Sequence, residues 1–255
     1  MLEYRAALAR NRDIFLIEHG RLLKAFSCIL ENFEPMFERL STARDLSGKS
    51  QVSLIPFVAL LQRQVTAAFE AFASFQSFHG WVIVRPGIEA ALVVGKFIDD
   101  RKFFEIWMNR IADRKAYRKS FTGAALISKS LPSSASIQAV LSKVNDDFVH
   151  ANPEYYYRHL ELTAQGTDQL NIAVTYFDDN ANHLAHTLAF LHLVLMIQES
   201  LAGLLNGLYG QPVKLRFSAE GFRKDFRKEL EVAVSKVASG QNIVEELGLV
   251  NKDAI

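Results

Sequence analysis

The sequence predicts a mainly α-helical bundle with one inserted β-hairpin, and three observations carry that expectation. Apolar residues recur at steps of three and four. In "VSLIPFVALLQRQVTAAFEAFASF", Leu54, Val58, Leu61, Val65, Phe69, Phe72 and Phe75 form one continuous stripe. The period then changes over about residues 156–177, where Leu160/Leu162 and Ile172/Val174/Tyr176 alternate on either side of Gly166-Thr167-Asp168, the pattern of a hairpin. Finally, 255 residues with 49% apolar and 22% charged composition suit an ordinary globular chain able to bury a substantial core.

Each element follows in order. A helix or helix pair is expected from about Leu2 to Leu40, with Gly20 and Pro35 as interruptions. "STARDLSGKS" reads as a loop, the striped helix runs to about Phe78, and Gly80 marks the turn into "WVIVRPGIEAALVVGKFIDD". Asp99 and Asp100 suit the positive end of a helix dipole and open a helix reaching about Phe121. "SKSLPSSAS" is a loop, and "SIQAVLSKVNDDFVH" is a shorter helix ending near Pro153. After the hairpin, Asp179 or Asn180 caps a long apolar helix to about Leu208, "YGQPVK" breaks it, and Ser218 caps a final charged helix. The expectation is a single helical domain over residues 1–255, with the charged helix and tail of 210–255 at its periphery.

Composition removes several function classes. A formal net charge of +1 gives no global field to recruit nucleic acid or an anionic membrane. The single cysteine, Cys28, excludes an intramolecular disulfide and points to a reducing compartment. "MLEYRAALARNRDIF" lacks the apolar core of a secretory signal. The most apolar window is interrupted by His186, His192, Gln198 and Glu199, so it reads as a buried helix and not a membrane span. A cytoplasmic protein is expected. The chain has no phosphate loop, no G-x-G-x-x-G after a strand, no H-E-x-x-H, no G-x-S-x-G and no Glu-x-x-His pair. No cofactor and no metal are expected on this reading.

The most informative polar residues lie in the apolar run around Pro86. Arg85 and Glu89 stand at i, i+4 among Val82, Ile83, Val84, Ile88, Leu92 and Val93. A surface pair of this kind contributes little. With apolar flanks around most of the helix, at least one member is expected to point into the bundle, where an ion pair is costly to desolvate and invites a functional account. Structural pairing is the plainer account. Pro86 would suit the first turn of a helix starting near Arg85, which would set Arg85 by a helix N-terminus, a good place for an anion. His150 ends its helix one turn after Asp147. It reads either as a base or anion contact at the mouth of a cleft, or as a histidine complementing the helix dipole.

His183 and His186, at i, i+3, have no obvious local third metal ligand, and buried or surface imidazoles are the plainer account. Basic segments 101–119 and 214–236, with Trp107 and Tyr117 interleaved in the first, would suit phosphates, but charge-rich helices are usually solvated faces. Gly203 and Gly207 have the spacing of close helix packing.

"IVRPGIEAALVV", followed some sixty residues later by "LSKVNDDFVHANP", resembles a group of uncharacterised bacterial all-α proteins. Those families carry an Arg/Glu helix and a later Ser-to-His segment, and their bundles are compared with HEPN ribonucleases. The resemblance spans roughly residues 50–205. It implies a helical bundle with Arg85, Glu89 and His150 facing a common interior. The HEPN class uses an R-x(4–6)-H pattern to cleave RNA without metal, usually across a dimer. Arg12 to His19 fits the longest spacing, nearly two helical turns.

The functional expectation is a self-associating binding module. Arg85, Glu89, Asp147 and His150 would hold a small anionic or polar ligand: Arg85 on the anion, Glu89 orienting Arg85, Asp147 orienting His150, and His150 closing the mouth. The alternatives are a metal-independent ribonuclease acting on RNA, and a purely structural or partner-binding bundle.

Overall fold

A computed structural model of the chain describes residues 2–42, 54–149, 160–165, 169–174, 177–210 and 212–236. The chain is mainly helical. Three helices, not one or two, occupy its start: α1 (Leu2–Glu18), α2 (Gly20–Glu31) and α3 (Phe33–Thr42). The breaks fall at His19 and Asn32. Pro35 lies in the first turn of α3, where N–H groups have no intrahelical partner, so it does not interrupt the helix.

Helices α4 (Ile55–Ala73) and α5 (Ser77–Asp99) form the central hairpin. All seven residues of the predicted stripe are buried. The turn between the two helices is set by Phe75 at φ 61°, in the left-handed region. The N–H of Gln76 donates to the carbonyl of Ala71 at 3.0 Å and that of Phe75 to Phe72 at 2.9 Å, which closes α4 as a Schellman motif. A left-handed phenylalanine costs about 1–2 kcal/mol. Burial of its ring, stacked on His183 with centroids 3.7 Å apart, offsets that cost. Gly80 is therefore not the turn but lies inside α5. A Cβ there would meet the Phe72 ring at 2.5 Å, so the close approach of α4 and α5 requires glycine.

The single helix expected after Asp100 is two: α6 (Arg101–Met108) and α7 (Arg114–Phe121). Asp100 accepts from the Lys102 N–H and Asp113 from the Ala116 N–H, each at 2.9 Å, so each helix has its own cap. Asp99 instead fastens the following loop, accepting from the Ser128 hydroxyl and from the N–H groups of Lys129 and Ser130. Burial pushes its carboxyl up, but those donors outweigh it and hold it below the usual aspartate value. Helix α8 (Ser134–Val144) continues into a π-helical turn, Asn145–Val149. Strands β1 (Leu160–Gln165) and β2 (Gln169–Val174) pair antiparallel, Leu160 opposite Val174 and Gln165 opposite Gln169. Gly166-Thr167-Asp168 and residues 43–53 lie outside the described residues.

Helix α9 (Asn180–Tyr209) is the axis of the bundle, about 45 Å long at 1.5 Å per residue. Asp179 caps it, accepting from the Asn182 N–H at 2.8 Å, and Gly210 at φ 66° ends it. It is the one described helix long and apolar enough to cross a bilayer, and 83% of that apolar window is buried inside the fold. Its surface is taken up by α2, α3, α4, α5 and α8, and by the last two described helices, α10 (Ala219–Asp225) and α11 (Arg227–Lys236). Ser218 caps α10 through the Gly221 N–H at 3.0 Å.

The segment after Gly210, expected at the periphery, is stitched into the core over its described part. Phe222, Phe226, Leu230 and Ala233 are buried. Asn32, fully buried, donates to Gln198 Oε1 and to the Phe217 carbonyl, each at 2.9 Å, and accepts from the N–H groups of Arg216 and Phe217. Gln198 in turn donates to the Ile29 carbonyl at 2.8 Å. Every member of this buried network is satisfied, the condition under which polar groups fix a unique packing.

Candidate functional site

The outer face of α5 meets the end of α8. Trp81, Val84, Ile88, Ala91 and Leu92 take the core-facing side of α5, which leaves Arg85 and Glu89 on its flank. Their side chains are 34% and 28% exposed, and Arg85 Nη1 stands 3.5 Å from Glu89 Oε2. The pair is thus half-buried, not enclosed. In this setting the ion pair itself contributes about 0.3–0.5 kcal/mol.

Pro86 is an interior residue of α5, well past its first turn at Ser77. Arg85 therefore does not sit at a helix N-terminus, and a helix dipole does not help it hold an anion. The apolar contacts of α5 with α4, α8 and α9 carry the helix through the proline.

What fixes Arg85 is a residue the sequence did not single out. Arg85 Nε donates to Asn145 Oδ1 at 2.5 Å, across 60 positions of sequence. Asn145 is the first residue of the π turn, a feature that occurs mostly as isolated turns and frequently at functional sites. The same turn is anchored from its other side by Phe148, buried 6.0 Å from the Trp81 ring and 6.2 Å from Phe78. Trp81 Nε1 donates to His186 Nδ1 at 3.0 Å, which fixes the ring on which the turn rests.

Tyr117 of α7 completes the neighbourhood. Burial raises its phenol above the ordinary tyrosine value and the Glu89 charge adds to this, while Arg110 and Arg85 oppose it. The phenol therefore stays protonated at neutral pH and can donate a hydrogen bond. Arg110 covers the Trp107 ring at 4.0 Å.

Of the four residues expected to form the site, Arg85 and Glu89 are in contact. Asp147 lies in the same π turn as Asn145, but its carboxylate pairs with Lys143 at 3.0 Å. His150 lies outside the described residues. The signal that could have found Asn145 is the polar triplet Asn145-Asp146-Asp147 interrupting an apolar helix. Tyr117 carries no comparable local signal, because it joins the cluster only through the packing of α7.

The other sequence candidates resolve differently. His183 is fully buried, and its Nε2 donates to the Phe72 carbonyl at 2.8 Å. Burial holds its pKa at about 3. His192, also buried, is held at about 4 by burial and by the nearby Arg223 charge, and neither ring nitrogen has a partner among the described residues. Among the described residues no group of three histidine, cysteine or acidic side chains is disposed to hold a metal. Arg12 pairs with Glu70 on α4 at 3.1 Å, whereas the His19 ring packs by Phe15 and His183. Several charges of the basic segments are matched locally, as in Arg216 with Glu31, Arg227 with Glu231 and Lys102 with Asp100. A Cβ on Gly203 would lie 3.3 Å from Pro132 and one on Gly207 would meet nothing, so only Gly203 serves close packing.

No family model, curated protein or solved structure matches the chain.

Proposed function

We propose that this protein binds a small polar or anionic molecule at the cluster of Arg85, Glu89, Asn145 and Tyr117, beside the π turn. One observation carries the reading. Arg85 is half-buried and held through Nε by Asn145 and through Nη1 by Glu89, while its Nη2 has no hydrogen-bond partner among the described residues. A guanidinium restrained in this way has lost most of its rotamer freedom before any ligand arrives, so less is lost on binding. Its planar fork suits a carboxylate or phosphate oxygen. Tyr117, whose phenol feels the Glu89 and Arg85 charges, is the further donor this reading assigns. Asp147 stays in this reading only as a neighbour in the π turn, paired with Lys143.

The ribonuclease alternative draws less support, because Arg12 is committed to Glu70 while His19 turns toward His183. A purely structural role would fit better if Arg85 and Glu89 were open and unpaired, and they are neither.

The test is native mass spectrometry of the purified protein against its denatured mass, followed by a thermal-shift screen of small organic anions. The expected result is a homo-oligomer whose ligand adduct, or anion-induced stabilisation, disappears in a folded Arg85→Gln variant. A folded Arg85→Gln protein with the same adducts and the same anion responses would overturn the proposal, as would a wild-type protein that responds to none.

A further inference from the structure

Apart from the Arg85 cluster, a recess lies between α2 and the C-terminal arm. Its volume is about 280 Å3, just below the roughly 300–1,000 Å3 typical of small-molecule sites. Phe217 and Phe226 supply its aromatic surface, and Ala25 also lines it. Three charged residues line it, and they differ in what they are free to do. Arg21 is committed: it pairs with Glu229, donates through Nη2 to the Asp225 carbonyl, and covers the Phe226 ring at 4.9 Å. Lys24 and the Asp225 carboxylate, by contrast, have no partner among the described residues, although both line the same recess.

We propose that this recess binds a zwitterionic α-amino acid with an apolar side chain. An uncommitted ammonium and an uncommitted carboxylate beside an aromatic pocket are complementary to a ligand carrying both opposite charges next to an apolar group. Lys24 would take the ligand carboxylate and Asp225 its ammonium, with the side chain against Phe217 and Phe226. A simple anion would face Asp225 with like charge, and a simple amine would face Lys24. The committed Arg21 holds the wall in place, because it bridges α2 to both α10 and α11.

The experiment has a built-in reporter, since Cys28 lines the recess and is the only cysteine of the chain. The rate of Cys28 alkylation by iodoacetamide is measured in the intact protein against increasing L-phenylalanine, 3-phenylpropionate and phenethylamine. Phenylalanine is expected to slow labelling saturably. The two analogues, each missing one charge, should be weaker by about tenfold or more, as should phenylalanine acting on Lys24→Gln or Asp225→Asn. An unchanged rate in millimolar phenylalanine, or equal protection by phenylpropionate, would overturn the proposal. If the thiol resists the reagent, calorimetric titration of phenylalanine decides: saturable heat that weakens in Lys24→Gln supports the site, and no saturable heat refutes it.

Discussion

His183 Nε2 donates to the backbone carbonyl of Phe72 at 2.8 Å, inside the core where α4 turns back into α5. The bond places a proton on Nε2, and burial, which disfavours the charged ring, makes the surrounding core sensitive to acid. The folded pKa values of His183 and His192 are about 3 and about 4, below the ordinary histidine value of 6.5. Between those limits the unfolded chain binds protons that the folded chain does not. Stability is therefore full above about pH 6.5 and falls as pH drops toward 4, by roughly 1.4 kcal/mol per pH unit for each histidine. Urea unfolding at pH 7, 6 and 5 should show a falling midpoint. A midpoint constant over that range would contradict the buried neutral state.

His192 separates from His183 by a simple substitution. Both of its ring nitrogens lack partners among the described residues, so His192→Leu removes polar atoms that nothing there satisfies. Replacing such a group by an apolar one of similar size is nearly neutral or stabilising. The variant should match or exceed wild-type stability at pH 7 and lose part of the acid sensitivity, with His183 and His19 keeping the rest. Proton uptake on unfolding, from the pH dependence of the unfolding free energy, is the measurement.

Asn32 holds the C-terminal arm. Asn32→Ala would leave Gln198 Oε1, the Phe217 carbonyl and the N–H groups of Arg216 and Phe217 without their partner. Four groups lose a partner at about 1–3 kcal/mol each where fully buried, and three of these bonds are only part-buried, so a loss near the lower end, about 4 kcal/mol, is expected. Limited proteolysis should then cut first near Arg216, before the rest of the bundle opens.

Gly80→Ala and Gly95→Ala test the helix approaches. A Cβ at Gly80 would meet the Phe72 ring at 2.5 Å, and one at Gly95 would meet the Leu131 and Ser128 side chains at 2.7–2.8 Å. Overpacking of this kind costs about 1–3 kcal/mol, against the small gain that alanine brings to a helix. Thermal unfolding of both variants should occur below wild type.

Asn145→Ala probes the proposed cluster without touching the charge. It removes the acceptor that holds Arg85 Nε while leaving the guanidinium and Glu89 in place. Anion response in the thermal-shift screen should weaken, with helicity unchanged by circular dichroism. Equal weakening in Asn145→Ala and Arg85→Gln would mean that Arg85 acts only when oriented.

Much of the fold was legible because its signals are local. Asp179, Asp100 and Ser218 cap helices through N–H groups two or three residues away, and a cap of that kind depends on nothing distant. The Leu54-to-Phe75 stripe is buried throughout because helical spacing alone sets those side chains on one face. By itself, then, the sequence determined a helical chain, where most helices begin and which faces they bury.

The tertiary structure decided the arrangement of the candidate site. Pro86 continues α5 where local rules favour a helix start, because contacts with α4, α8 and α9 outweigh one missing hydrogen bond. Phe75, and not Gly80, takes the left-handed turn, because its ring has a histidine to stack upon and Gly80 is needed where two helices touch. Arg85 is oriented by Asn145, 60 residues away, and neighboured by Tyr117 from a third helix. Periodicity tells which way a side chain faces relative to its own helix axis. Which partner it meets there depends on how the helices pack, and that is a property of the whole core.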